Sequence, residues 1–103
     1  MAGPHPRVLT LSPKELLVLE LLREQDSYGL QLVAASAGRL KRGTVYVTLG
    51  RMEEKGYITS KLEAAPTGAG GLPRRIYAAT ALGRRMYAAW TSGATRLVPE
   101  LGR

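Results

Sequence analysis

At Gly56 the spacing of apolar residues changes, and this change limits the fold more than any other feature of the chain. Before Gly56, apolar residues recur every three or four positions, the period of a helix buried on one side. After it, in "YITSKLE", Ile58, Ser60 and Leu62 alternate with Tyr57, Thr59 and Lys61, the period of a half-buried strand. Such a chain packs helices from its first half against a small sheet from its second. Its 103 residues suit one small domain with a modest core. With one Trp, five Tyr and no Phe, that core is filled mainly by Leu, Val, Ile, Met and Ala.

Local signals place the elements. Residues 1–11, with Pro4 and Pro6, read as a flexible amino-terminal tail. In "LSPKELLVLELLRE", Ser12 is placed to cap a helix, Pro13 suits its first position, and Glu15 completes a capping box. Leu16, Leu19 and Leu22, with Leu17 and Leu21 beside them, give that helix a wide apolar face. "QDSYGLQLVAASAG" predicts a second helix capped by Asp26 or Ser27, spaced by Leu30, Val33, Ala34 and Ala37, and stopped at Gly38. Val45, Leu49 and Met52 mark a third, ended by Gly56. Each helix is expected to run about three turns. "AAPTGAGGLP" is a loop, and "RRIYAAT" a second strand with Ile76 and Ala78 opposed to Arg75 and Tyr77, so the two strands form a loose hairpin. From Thr80, a cap, a final helix runs to near Pro99 with Leu82, Met86, Trp90, Gly93 and Leu97 as its stripe. The chain shows no internal repeat.

Several classes of function drop out. No Cys means no disulfide and no thiolate metal site. The single His5 lies in the tail, no acid pair accompanies a nucleophile, and "TGAGG" lacks the Lys-Ser/Thr of a phosphate-binding loop. An enzyme is therefore not expected, nor a cofactor or metal. No apolar run is long enough to span a membrane, and "MAGPHPR" lacks the apolar core of a signal peptide, so the expected setting is soluble and cytoplasmic.

Charge points elsewhere. The formal net charge is +7 and the pI about 10.3. Between Ala37 and Met52 stand Arg39, Lys41, Arg42 and Arg51 with no acid; between Ala64 and Pro99 stand Arg74, Arg75, Arg84, Arg85 and Arg96, again with none. Two basic segments on one small domain are the footprint of a polyanion.

Three helices followed by a hairpin predict a mainly α winged helix-turn-helix, with residues 12–79 as the DNA-binding domain and 80–103 as a dimerisation helix and tail. In that plan the third helix enters the major groove and the hairpin, or wing, reaches the flanking backbone. Lys41 and Arg42 stand at the start of the third helix, where their charges add to the positive end of the helix dipole. Glu53 and Glu54 lie roughly 15 Å further along, where the helix leaves the groove. With Val45, Leu49 and Met52 turned inward, Gly43, Thr44, Val47, Thr48 and Arg51 point outward and Tyr46 lies at the flank. Thr44, Thr48 and Arg51 suit phosphate or base edges, Val47 a thymine methyl, and Gly43 a close backbone approach. Tyr46 is either a phosphate contact or a core-edge aromatic; Arg51 is either a DNA contact or a solvated charge paired to an acid. Arg74 and Arg75 stand at the root of the wing on opposite faces, so one of them is expected to reach the DNA; Lys61, on the partner strand, is a weaker candidate. Leu82, Met86, Trp90, Gly93 and Leu97 have no evident cover within the chain, and a two-fold dimer supplies one while presenting two recognition helices to two half-sites. The alternative is a winged helix whose basic surface meets an acidic protein or RNA.

"SYGLQL", "GTVYVTLGRMEEKGYI" and "PRRIYAATALGR" together resemble the successive signatures of the PadR family of bacterial transcriptional regulators. Those run approximately Tyr-Gly-Tyr-Glu-Leu, Gly-Thr-Leu-Tyr-Pro-Leu-Leu-x-Arg-Leu-Glu-x-x-Gly-Leu-Ile and Arg-x-Tyr-x-Leu-Thr-x-x-Gly. The resemblance covers Leu11 to Met86. It implies a repressor that binds palindromic promoter DNA as a homodimer, held largely by the carboxy-terminal helix, in a bacterial cytoplasm and on the nucleoid when bound. Carried over, Gly43, Thr44 and Tyr46 occupy the DNA-entering end of the recognition helix, Tyr28 and Gly29 open the second helix, and Tyr77, Thr80 and Gly83 join the wing to the last helix. The chain departs from the pattern at Val47, where the family has Pro, at Gly50 within the helix, and in the Gly-rich wing loop. Ending after one further helix, it resembles the short members. Since those can hold flat aromatic compounds between protomers, Trp90 is either an ordinary interface aromatic or a stacking surface for a small aromatic effector.

Overall fold

A computed structural model describes residues 10–64 and 73–101, with 93–101 as backbone alone. The tail through Leu9 and the Gly-rich loop at 65–72 lie outside the described residues, as do the surroundings of Gly93 and the side chain of Leu97. The elements run α1 (Pro13–Leu22), β1 (Ser27–Tyr28), α2 (Gly29–Ala35), α3 (Val45–Lys55), β2 (Ile58–Glu63), β3 (Arg74–Ala79) and α4 (Ala81–Leu101).

α1 begins as its capping signal dictates. Ser12 Oγ accepts the Glu15 N–H at 3.2 Å, and Glu15 Oε1 accepts the Ser12 N–H at 2.9 Å. The Glu15 carboxylate, 1% exposed, also receives Lys55 Nζ from the end of α3 at 2.9 Å. Tyr57 donates its hydroxyl to the Thr10 carbonyl at 2.9 Å, a second tie between the chain just after α3 and the approach to α1.

The stretch before α2 differs from the sequence expectation. Neither Asp26 nor Ser27 caps the helix. Ser27 and Tyr28 extend and pair antiparallel with Tyr77 and Ile76 of β3, and the helix opens at Gly29 with the Tyr28 N–H donated to Gln31 Oε1 at 2.8 Å. The edge of β3 offers backbone groups that must be bonded once buried, and those bonds outweigh one more turn of helix. α2 is accordingly seven residues long, not three turns. Ser36 closes it, donating to the Val33 carbonyl at 2.8 Å and accepting the Leu40 N–H at 2.9 Å. Ala37 and Gly38 then take left-handed backbone, with φ of 54° and 85°, and turn the chain toward α3.

α3 stops at Gly56, as its sequence predicts. Gly56 has φ 83°, its N–H reaches the Glu53 carbonyl at 3.0 Å, and the Tyr57 N–H reaches the Met52 carbonyl at 2.9 Å. This pair of bonds satisfies carbonyls the helix end would leave open, and glycine adopts the required backbone without a Cβ penalty. Val45, Leu49 and Met52 are buried with Leu19, Leu32, Leu40 and Tyr57 in one core.

β2 and β3 pair antiparallel from Ile58↔Ala79 to Glu63↔Arg74, so the sheet has the order β1-β3-β2. The alternation read for β3 holds, and its buried face carries Tyr77 and Ala79 while Ile76 and Ala78 are half-buried. Thr80 links sheet to α4. Its hydroxyl accepts the Gly83 N–H at 3.0 Å as a cap and donates to the Gly56 carbonyl at 2.6 Å. Gly83 allows the close crossing: a Cβ there would lie 2.0 Å from the Tyr57 carbonyl oxygen.

α4 corrects one expectation. The sequence suggests that Leu82 and Met86 lack cover within the chain, but with Tyr87 they pack on the subunit's own core and are half-buried. α1 lies beside the first turns of α4, and Arg23 sits 4.9 Å over the Tyr87 ring. Among the described side chains of this helix, Trp90 is the large apolar one that stays exposed, at 39%. Helices α1 to α3 with the hairpin form a winged helix-turn-helix, mainly α with a small sheet.

Candidate nucleic-acid interface

The turn that feeds α3 carries the cationic residues. Lys41, Arg42, Gly43 and Thr44 are all exposed, and the turn is closed by the Thr44 and Val45 N–H groups, both bonded to the Lys41 carbonyl at 3.1 and 2.9 Å. Lys41 and Arg42 thus precede the helix rather than forming its first turn. Thr44 is its N-cap but makes no capping bond through its side chain. The hydroxyl therefore stands at the positive end of the helix dipole beside two cations.

On α3 itself Tyr46 is 50% and Val47 60% exposed, and Arg51 is exposed as expected. Thr48 is not. At 7% exposure it belongs to the buried face with Val45, Leu49 and Met52. Position 48 lies three residues after 45 and four before 52, so it falls between them on the inward stripe, which is one residue wider than the outward set read from sequence assumed. The outward set is Gly43, Thr44, Tyr46, Val47 and Arg51.

Tyr46 rests on the start of α2. A Cβ built on Gly29 would meet the Tyr46 ring at 2.6 Å and its hydroxyl oxygen at 2.7 Å. Glycine at this point lets the ring lie across the α2 backbone, a half-exposed position between the two readings left open by the sequence.

Tyr28, Tyr46, Arg74 and Arg75, predicted separately, line one cleft of about 470 Å³ together with Gly29, Leu30, Leu62 and Tyr77. Within it each wing arginine has its own partners. The Arg74 guanidinium lies 4.1 Å from the centre of the Tyr28 ring, and the Tyr28 hydroxyl donates to Glu63 Oε1. That bond raises the Tyr28 pKa above its ordinary value, burial and the Glu63 charge add to the rise, and Arg74 opposes it. The phenol is therefore neutral, and a donor, at physiological pH. Arg75, on the opposite face as expected, donates to Ser60 Oγ at 3.1 Å, and Ser60 donates to Glu53 Oε2 at 2.7 Å. Desolvation raises the Tyr77 pKa beside this chain of bonds, Glu53 adding and Arg75 opposing.

Ser60 and Glu63 were not singled out by sequence, and Glu53 was read only as part of the acidic end of the third helix, not as a partner of the wing. Their signal lay in the hairpin register, which sets Ser60 opposite Tyr77 and Glu63 opposite Arg74, and register across a long loop is not written in either strand alone. Lys61 is exposed on β2, opposite Ile76. Among the described residues no helix is long and apolar enough to cross a membrane.

Comparison with known proteins places this arrangement. A family model described as the transcriptional regulator PadR-like family matches residues 18–89. The chain is similar to a PadR family transcription regulator from hypervirulent Clostridium difficile R20291, at 27% identity and a TM-score of 0.66, covering 84% of this chain and 90% of that one. It is similar to a PadR family transcriptional regulator from Eggerthella lenta DSM 2243, at 29% identity and a TM-score of 0.68, covering 84% and 76%. It shares the fold of Bacillus subtilis PadR, solved in complex with operator DNA, at 20% identity and a TM-score of 0.69, covering 80% of this chain and 48% of that one. The search of curated proteins finds no match. The family match runs from Val18 in α1 through the hairpin to Ala89 in α4, well over half of the sequence, and so the chain belongs to the transcriptional regulator PadR-like family.

Proposed function

We propose that this protein is a sequence-specific DNA-binding transcriptional regulator that represses by occupying a palindromic operator as a homodimer. The observation that carries the reading is the exposed Lys41–Arg42 turn leading into the outward face of α3, where Thr44, Tyr46, Val47 and Arg51 stand clear of the core. Lys41 and Arg42 neutralise phosphate on entry, Arg51 and Thr44 meet phosphate or base edges, and Val47 meets a thymine methyl. Gly43 admits the backbone. Tyr28, Arg74 and Arg75 place the wing beside the same groove. The Bacillus subtilis relative crystallised with operator DNA supports the same use of this fold.

The dimer is held through α4, with exposed Trp90 at its centre and Gly93 and Leu97 continuing the seam; Leu82 and Met86 contribute the part of their surface that the core leaves open. A two-fold pair presents two α3 helices to half-sites one helical turn, or a multiple of it, apart. A flat aromatic effector would stack on Trp90 within this seam. In a bacterial cell the protein would be cytoplasmic and nucleoid-associated when bound.

The test is selection of duplexes from a random pool, followed by titration of the selected duplex at several salt concentrations. The expected result is an inverted repeat whose affinity falls steeply and linearly on a log–log salt plot. Recovery of no duplex, with salt-insensitive binding to a protein or to RNA, would overturn the reading.

A further inference from the structure

Glu53 presents a contradiction on an interface for a polyanion. It is exposed on α3, two residues beyond Arg51, where a negative charge repels phosphate. Yet its carboxylate is bonded into the wing rather than left in solvent. Ser60 Oγ of β2 donates to Glu53 Oε2 at 2.7 Å, and the same Oγ accepts Arg75 Nη1 of β3 at 3.1 Å. One acid on α3 thus reaches both strands of the hairpin through a single hydroxyl. Ser60, Leu62, Arg75 and Tyr77 share the helix-facing side of the sheet, since Ser60 pairs with Tyr77 and Leu62 with Arg75.

We infer that Glu53 is a positioning residue: through Ser60 and Arg75 it fixes the angle of the wing against the recognition helix, so that both meet DNA as one rigid unit. The inference rests on the proposed DNA-binding reading and adds a division of labour within it. Arg75 is turned toward α3 and engaged in this relay. Arg74, on the opposite face, is stacked on Tyr28, whose hydroxyl is bonded to Glu63. A guanidinium stacked in that way keeps its in-plane N–H donors directed outward, so Arg74 is the wing arginine that meets the DNA backbone. Arg75 sets where Arg74 stands.

Order matters here for a physical reason. The far end of the hairpin projects beyond the buried Ile58–Ala79 pair, and binding must supply the entropy of fixing its direction unless the free protein has already fixed it. A hydrogen bond to a charged acceptor is stronger than a neutral one and more directional than an apolar contact. Glu53 is therefore suited to hold a strand pair whose outer residue, Leu62, is 59% exposed and adds little packing of its own.

The experiment turns on a sign. Electrostatics alone predicts that removing the Glu53 charge tightens binding to duplex DNA, because one repulsion disappears. Positioning predicts that Glu53→Ala weakens it about three- to tenfold, the range expected for one hydrogen-bonded tie, with the salt slope unchanged because every phosphate keeps its cation. Glu53→Gln keeps an acceptor for Ser60 and lacks the charge, so it should bind at least as tightly as the parent protein. Ser60→Ala should reproduce the loss seen in Glu53→Ala, and combining the two should add nothing further. In the DNA-free protein, amide hydrogen exchange across β2 and β3 should speed up in Glu53→Ala and Ser60→Ala and less in Glu53→Gln, whose neutral oxygen still accepts from Ser60 but more weakly. That arm needs no DNA and separates failure of the relay from failure of the DNA-binding reading. Tighter binding by Glu53→Ala, or unaltered exchange in the hairpin, overturns the proposal.

Discussion

The ring of Tyr46 lies over Gly29 so closely that a methyl group on Gly29 would meet it at 2.6 Å. One residue opens α2 and the other stands on the outward face of α3, so the bare backbone of the first sets the position of a half-exposed aromatic on the second. The contact is asymmetric in cost. Tyr46 is 50% exposed and can swing outward, whereas the start of α2 is held by β1.

Gly29→Ala should therefore affect binding more than folding. Alanine is the better helix residue by up to about 1 kcal/mol, which offsets the work of displacing the ring, and the melting temperature should move by only a few degrees. Operator affinity should fall several-fold because Tyr46 no longer lies where the DNA surface needs it. Thermal unfolding and gel-shift titration on the same variant check this; a large loss of stability with unchanged affinity would show that Tyr46 has no part in recognition.

Gly83→Ala is expected to behave in the opposite way. Helix propensity by itself predicts a gain, but the added Cβ would lie 2.0 Å from the Tyr57 carbonyl oxygen, a backbone atom that has no rotamer to yield. α4 would have to lift from the sheet, weakening the Thr80 bond to Gly56. The expected cost is about 3 kcal/mol, seen calorimetrically as a melting temperature lower by roughly 10 °C or more. A variant as stable as the parent would mean that the crossing of α4 over Tyr57 is looser than its geometry indicates.

On α3, neighbouring positions should separate cleanly. Thr48→Val replaces a hydroxyl by a methyl on a residue only 7% exposed and should leave operator affinity within about twofold, since position 48 faces the core. Arg42→Ala combined with Arg51→Ala should weaken binding roughly tenfold or more and reduce the salt slope by about two, one for each phosphate that no longer has its arginine. Circular dichroism checks that both proteins stay folded. If the Thr48 variant loses affinity as strongly as the arginine pair, the assignment of faces on α3 is wrong.

For the dimer, the informative residue is Trp90. Trp90→Asp should give monomers by size-exclusion chromatography with light scattering, with an unfolding transition still present. Leu82→Asp is a different perturbation, because Leu82 packs on the subunit's own core; it places a charge among apolar side chains and should cost several kcal/mol of fold stability before any effect on assembly is seen. A Trp90→Asp protein that remains dimeric would move the seam away from this part of α4.

Much of the fold was legible because its determinants are local. The Ser12–Glu15 box, the stop at Gly56 and the Thr80 cap each involve residues within five positions of one another, and the change of hydrophobic period marks where helix yields to strand. Charge was legible too: Lys41, Arg42 and Arg51 are exposed as their type and spacing require. Thr48 was misplaced because a helical stripe read from its apolar members alone omits a polar residue buried among them.

What tertiary structure alone decided are the relationships between segments distant in sequence. β1 exists because Tyr77 and Ile76, some fifty residues on, present an open strand edge to Ser27 and Tyr28. Leu82 and Met86 are covered because α1 lies beside the start of α4, and Glu53 meets Ser60, and through it Arg75, because the hairpin register brings them under α3. Periodicity and capping arise from backbone geometry over a few residues and are carried by the sequence wherever it folds. Pairing, cover and register depend on which surfaces meet once the chain has collapsed, and no single segment contains that information.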